Sequence, residues 1–226
     1  MKVYKYCSNY SPVIKSLSRS KIYAPSKQQL NDPFEGTVTS KIFEDYKIIK
    51  DYLSPSNYEY KIALINKLLV QIGYLGIYSM SKTWRSELLW AHYSNSHKGF
   101  CIEYELEDMI LTESKTIIFP KIIEIEYSKN PPIYSLDIMD KITEEEFLIM
   151  LIGTKSMSWK YEKEVRLIFN NNGEQEINNK AIQSIIFGAC ASDEDINRTI
   201  TQMSNKIKYY KINIANDYKL FKEKIN

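Results

Sequence analysis

Apolar and polar residues alternate at period two in several short runs, the spacing of a strand whose two faces meet different surroundings. Eight strands are predicted on this pattern: residues 3–6 (VYKY), 21–24 (KIYA), 73–81 (GYLGIYSMS), 99–105 (GFCIEYE), 122–127 (IIEIEY), 165–169 (VRLIF), 184–187 (SIIF) and 208–214 (KYYKINI). Helical spacing predicts helices over 11–17, 42–53 and 58–72, the last with Ile62, Ile65, Leu68, Leu69 and Ile72 on one stripe. A short helix is predicted over 86–93, and two more over 143–156 and 192–205. Pro12 suits a first helical turn, Thr143 and Glu146 form a capping-box pair, and Ser192 is an N-cap residue. The stretch 25–36, PSKQQLNDPFEG, is dense in turn formers and reads as an ordered loop, with Asp32 held extended by Pro33. Asn130-Pro131-Pro132 breaks the chain, residues 170–173 turn it, and the polar residues after 214 are expected to fray. Strands that do not alternate regularly with helices predict an α+β fold rather than a doubly wound sheet. The expected organisation is one domain over 1–226 with a helical insertion at about 40–74.

Length and composition narrow this picture only a little. The 226 residues suit one large domain, and 44% apolar residues can fill its core. A net charge of +2 leaves a polyanionic partner open, since only a local basic patch would matter. Seven glycines form neither G-x-x-x-x-G-K-[ST] nor G-x-G-x-x-G, so glycine-rich phosphate loops are excluded. No apolar run approaches a bilayer span, and the N-terminus lacks the apolar centre of a secretory signal. Cys7, Cys101 and Cys190 are odd in number and far apart, which fits buried structural thiols in a reducing cytoplasm better than disulfides. With only His92 and His97 beside them, no Cys/His zinc site is expected.

Three places carry candidate chemistry. Glu162 and Glu164 are two apart at the entry to a strand, so both can point to one face. They either converge on a site, where mutual repulsion sets their proton affinities apart, or meet Lys163 and Arg166 on a solvated face. Ser79 and Ser81 share a strand face in the same way. On the helix that follows, Trp90 and Tyr93 share a face suited either to core packing or to an aromatic ring, with His92 a base, a donor or a structural residue. Leu30-Asn31-Asp32-Pro33-Phe34-Glu35 is a rigid polar loop that could cap an element or close on a ligand. Asp32 and Glu35 would suit a metal, the weaker alternative because no further carboxylates have ligand spacing, and no metal is expected.

Taken in order, Tyr4-Lys5-Tyr6, the Leu30 to Glu35 loop, Ser79-x-Ser81, Leu89-Trp90-x-His92-Tyr93-x-x-x-His97-x-Gly99-x-Cys101-Ile102 and Lys155-x-x-x-Trp159-x-Tyr161-Glu162-x-Glu164-Val165-Arg166 form a signature. It resembles an uncharacterised bacterial domain family whose core pattern is similar to ADP-ribosyltransferases, including the DarT-like enzymes that modify nucleic acid. That resemblance implies split mixed and antiparallel sheets flanked by helices. It also implies cleavage of NAD as a substrate by three strand-borne positions, matched here by Lys5, by Ser79 or Ser81, and by Glu164. Lys5 stands where the superfamily has His or Arg, with Tyr4 or Tyr6 as the alternative. Glu164 is then the catalytic carboxylate at the ribose, and Glu162 or His92 the base for the acceptor. Trp90 or Tyr93 packs near the nicotinamide, and Asn31 with its loop closes on the cofactor. The implied role is an intracellular toxin or phage-defence effector, restrained by an antitoxin protein. Its implied acceptor is RNA or DNA, a choice that Lys206, Lys208, Tyr209, Tyr210 and Lys211 would favour if they tracked a strand rather than forming an edge strand. Two other readings are a binding module of the same fold without catalysis, and a hydrolase using Glu162 and Glu164 as an acid/base pair.

Overall fold

In the computed structural model, residues 1–8, 10–40, 55–110, 120–135, 141–203, 207–215, 217 and 219–225 are described. The predicted helix 42–53 and Lys206 lie outside them. Eight strands form the main sheet: β1 (Lys2–Cys7), β4 (Gly76–Ser81), β5 (Phe100–Glu105), β6 (Lys121–Glu124), β10 (Glu164–Phe169), β12 (Ile182–Phe187), β13 (Lys208–Ile214) and β14 (Leu220–Ile225). Their order is β14-β13-β12-β5-β1-β4-β10-β6. Every pairing is antiparallel except β12 with β13, so the sheet is mixed and the fold is α+β.

Three small two-stranded sheets accompany it: β2 (Lys21–Ala24) with β11 (Gly173–Glu176), β3 (Thr39–Ser40) with β8 (Ile133–Tyr134), and β7 (Glu126–Ser128) with β9 (Thr154–Ser156). The helices are α1 (Tyr10–Leu17), α2 (Pro55–Tyr74), α3 (Glu87–Tyr93), α4 (Glu144–Gly153) and α5 (Asp193–Gln202). Three of their start signals lie where the sequence puts them, whereas α2 begins at Pro55, three residues before the predicted start. Ser86 and Ser192 accept from the amides of Leu89 and Asp195, and Thr143 forms a reciprocal box with Glu146.

Alternation decides which core each strand serves. Odd positions of β10 (Val165, Leu167 and Phe169) join Tyr78 and Met80 of β4, Phe100, Ile102 and Tyr104 of β5, and Ile14 and Leu17 of α1 in the largest core. The opposite face has two covers. Over β4 and β10 lie α2 and α4, through Ile65, Leu68, Ile72, Phe147, Leu151 and Ile152. Over β1 and β5 lie Trp84, Leu89 and Trp90, packed on Tyr4, Tyr6 and Cys101. Between these covers runs the join of β1 with β4, a single backbone pairing of Tyr4 with Ser81. The neighbouring joins are continuous: β1 pairs with β5 over six residues and β10 with β4 over six.

Several predicted elements are corrected. The helix from 143 ends at Gly153, and residues 154–156 turn into β9, which puts Lys155 on a strand. The strand 122–127 is two strands broken at Ile125, whose amide donates to the Glu164 carbonyl at 3.3 Å. Strand β4 starts three residues later than predicted because α2 continues through Gly73. Leu69 leaves the buried stripe of α2 and is exposed. The tail after 214, expected to fray, pairs with β13 as β14. Strand β13 is therefore internal, flanked by β12 and β14, and its Tyr209 is buried, so Lys208 to Lys211 do not form an open edge. Among the described residues, no helix is long and apolar enough to cross a membrane.

Candidate active site

The sparse join between β1 and β4 opens into a cavity of about 300 Å³. Its floor is the face of Ser79, Ser81, Glu164 and Arg166, which the register places in two adjacent rows: Glu164 opposite Ser81 and Arg166 opposite Ser79. Tyr4, Lys5 and Tyr6 of β1 line the other bank. The loop before β3 roofs it with Leu30, Asn31 and Glu35, and Tyr93 of α3 stands at the side. The backbone that β1 leaves unpaired on this edge is partly satisfied by a side chain. Lys5 Nζ donates to the Ser79 carbonyl at 2.9 Å and lies 4.8 Å from the centre of the Tyr78 ring.

Within the cavity wall, one hydrogen-bonded chain joins most of the polar groups. Asn31 Nδ2 donates to the Tyr93 hydroxyl at 2.8 Å, and that hydroxyl donates to Glu162 Oε1 at 2.6 Å. Lys155 Nζ donates to Glu162 Oε2 at 2.5 Å and to Glu164 Oε2 at 2.9 Å. Arg166 Nε donates to Glu164 Oε1 at 2.7 Å, while its two terminal nitrogens form a fork on Glu35 at 2.6 and 2.8 Å. Arg166 Nη1 also reaches the Ile152 carbonyl. The Ser81 hydroxyl donates to the Glu162 carbonyl at 2.6 Å, and the Glu164 amide donates to the Tyr127 hydroxyl at 2.8 Å. The Ser79 hydroxyl bonds the Glu164 carboxylate.

These charges are deeply buried: Glu164 is 5% exposed and Arg166 0%. Glu35, Glu162 and Glu164 stand against Lys155 and Arg166, one net negative charge when all are ionised. Burial alone would raise the Glu164 carboxyl, but the Arg166 guanidinium and the Lys155 ammonium outweigh it and hold it down to about 2. Glu162, with Lys155 and Tyr93 as its opposing partners, is raised by burial. Burial lowers the Lys5 amine and raises the Tyr93 phenol. The two neighbouring carboxylates are thus driven apart in proton affinity, one anchored as an anion and one nearer protonation.

Of the sequence candidates, Lys5, Tyr6, Asn31, Ser79, Ser81, Tyr93, Glu162 and Glu164 all line this cavity. Trp90 and His92 do not. Trp90 is fully buried, donating from its indole nitrogen to the Trp84 carbonyl at 2.7 Å and meeting the Tyr6 ring edge-on at 5.1 Å. It supports the wall from behind. His92 lies on the exposed side of α3, its ring 6.5 Å from that of Tyr161. The solvated-face alternative for Glu162 and Glu164 is overturned by their burial, and Arg166 is an internal cation. Asp32 and Glu35 are buried, but Asp32 caps the Phe34 amide at 2.9 Å and Glu35 is held by Arg166. Among the described residues, no three His, Cys, Asp or Glu converge as metal ligands.

Sequence spacing does not single out Lys155, Arg166 or Tyr127 as site residues, and it offers Glu35 as a metal ligand rather than as the partner of Arg166. Lys155 was hidden by its assignment to a helix end, and Arg166 could have been found, since it shares the strand face of Glu164 at i+2.

Neither curated proteins nor solved structures match the chain. Over residues 89–167, the stretch that carries Tyr93, Lys155, Glu162, Glu164 and Arg166, the chain is similar to a family described as a protein of unknown function, DUF2971.

Proposed function

We propose that this chain is an ADP-ribosyltransferase that takes NAD as its substrate, with an ADP-ribosyltransferase-like split of the sheet along the join of β1 and β4. One observation carries the reading: the Glu164 carboxylate is buried, ionised and aimed into a cavity beside the Ser79 and Ser81 hydroxyls. Breaking the bond between nicotinamide and ribose moves its electron pair onto the ring nitrogen and leaves positive charge on the sugar. A fixed anion in a poorly hydrated site stabilises that charge most where it develops. The cavity is at the small end of ligand pockets, which suits the nicotinamide–ribose end of the dinucleotide rather than all of it.

In this reading Glu164 meets the ribose hydroxyls and the Ser79 hydroxyl holds it in place. Lys5 stands at the first-strand position and Asn31 on the closing loop. Glu162, raised by burial, takes the acceptor proton, and Tyr93 replaces Trp90 as the aromatic side chain beside the nicotinamide. The acceptor is a base of RNA or DNA, with a protein side chain as the alternative. That choice rests on the resemblance of the sequence signature to DarT-like enzymes alone, since β13 is an internal strand with no open edge. A toxin or phage-defence role in the cytoplasm, restrained by an antitoxin, goes with it.

The test is incubation of the purified protein with labelled NAD, alone and with RNA, DNA or cell lysate. Transfer of label supports the reading, and free ADP-ribose alone narrows it to NAD hydrolysis. A second reading, a binding module without catalysis, has its own observation. Lys155, Arg166 and Ser79 already occupy both Glu164 oxygens, so a ribose hydroxyl must displace one of them, the weakest being Arg166 Nη2 at 3.3 Å. Absence of any NAD turnover favours that module.

A further inference from the structure

We infer that Lys155 is the positioning residue of this site, one ammonium group that clamps Glu162 and Glu164 side by side against their mutual repulsion. Its bearing on catalysis rests on the transferase reading above, but its physical basis does not.

Lys155 is buried, and its strand is tied to β7, where Tyr127 is its register partner. That pairing fixes the root of the side chain. Its tip lies 2.5 Å from one carboxylate and 2.9 Å from the other, and 4.9 Å from the centre of the Trp159 ring. The charged and titratable groups around it come from every neighbouring element. Tyr161 and Glu162 lie on the turn before β10, Glu164 and Arg166 on β10, and Tyr127 on β7. Tyr93 on α3 and Glu35 in the loop join it through Glu162 and Arg166, and Lys5 on β1 adds a second amine whose charge interacts with both carboxylates.

Two buried carboxylates this close cannot both stay ionised without a cation between them. Arg166 serves Glu164 but donates nothing to Glu162, so among the described residues Lys155 alone donates to both. Among the described residues, removing the ammonium leaves Glu164 with Arg166 and Ser79, and leaves Glu162 with the Tyr93 hydroxyl as its hydrogen-bond donor and Lys5 as a charge that donates no hydrogen bond to it. The proton then goes to Glu162, which ceases to be an acceptor of protons. Lys155 thereby sets the state of the base without touching a substrate.

Isotope-edited infrared spectroscopy of labelled glutamate reads this directly through the carbonyl stretch of a protonated carboxyl. At neutral pH the band should be absent in the wild type, present in Lys155→Met, and lost again in the Lys155→Met/Glu162→Gln double variant. Lys155→Arg restores the charge and should show no band. A folded Lys155→Met protein without the band, or a Lys155→Arg protein with it, overturns the inference. Circular dichroism establishes folding, and Lys155→Gln is the second variant if Lys155→Met does not fold. In parallel, the acid limb of NAD cleavage should move to higher pH in Lys155→Gln. A wild type that leaves NAD intact sinks the transferase reading while the infrared result still decides the role of Lys155.

Discussion

Glu164 and Trp90 differ in what their neighbours allow them to do. Glu164→Gln keeps the shape and removes the charge, so NAD cleavage should fall by about 100–1,000-fold or more while the thermal transition of the protein survives. Turnover at the wild-type rate in that variant removes Glu164 from the chemistry. Trp90, fully buried behind the wall, is a packing residue. Trp90→Ala should cost roughly 3–5 kcal/mol in denaturant melts, and an unchanged midpoint would contradict its burial. Ser79 and Ser81 were legible in the sequence because i and i+2 on a strand share a face. Glu162 and Glu164 converge as expected but for another reason, since Glu162 ends a turn and left-handed Lys163 (φ 47°) swings the chain into β10 at Glu164. Depth was not legible: Trp90 and Tyr93 have equivalent helical spacing, yet one is sealed and the other reaches the cavity. Lys155 was illegible for a different reason, since residues 154–156 read as the end of a helix, and Glu35 is far from Glu164 along the chain, so only the tertiary fold brings them together.

Among the elements, the loop carrying Asn31 to Glu35 is held shut from beneath. The Glu35 fork on Arg166 ties it to β10, the Asp32 side chain bonds the Phe34 amide, and Phe34 itself is 70% exposed. Glu35→Ala leaves the Arg166 guanidinium buried with half its partners gone. A loss of about 3–5 kcal/mol is expected for breaking such a pair, together with faster proteolysis within 27–36. Unaltered melting and protease resistance would mean that the fork contributes nothing. Turn formers made this loop readable as ordered, but not what it was tied to. The switch from α4 to β9 at Gly153 was unreadable locally, since LIGTKSM continues the helical pattern that the capping box starts. Strand β14 was missed because Asn216, Asp217 and Lys219 precede it and, as a sheet edge, it buries little beyond Leu220.

For the molecule as a whole, the buried ions set how stability responds to acid. Glu164 is held from the ordinary 4.5 down to about 2, so its contribution is complete above the unfolded value and is lost as pH falls through that window. Glu103, where burial is outweighed by Lys2, Ser184 and Lys222, is also held down and adds a term of the same sign. Glu162 is raised, and its protonation on acidification works the other way. Denaturation midpoints should therefore drop between about pH 4.5 and 2, and Glu164→Gln should flatten that drop. A slope identical to the wild type would show that the ion pairs do not survive in solution. The α+β class was legible at this scale from strand runs that do not alternate regularly with helices. The sheet order was not, because no local pattern says that β1 lies between β5 and β4.

One rung joins the two banks of the main sheet, so mechanically it behaves as two plates on a shared crease. Fluctuations that part the plates widen the cavity before either plate unravels, and amide deuterium exchange should run fastest along the edge where Lys5 and Ser79 face each other. A molecule lodged there acts as a staple across the crease, and the heat resistance it confers is a measure of how firmly it grips both sides.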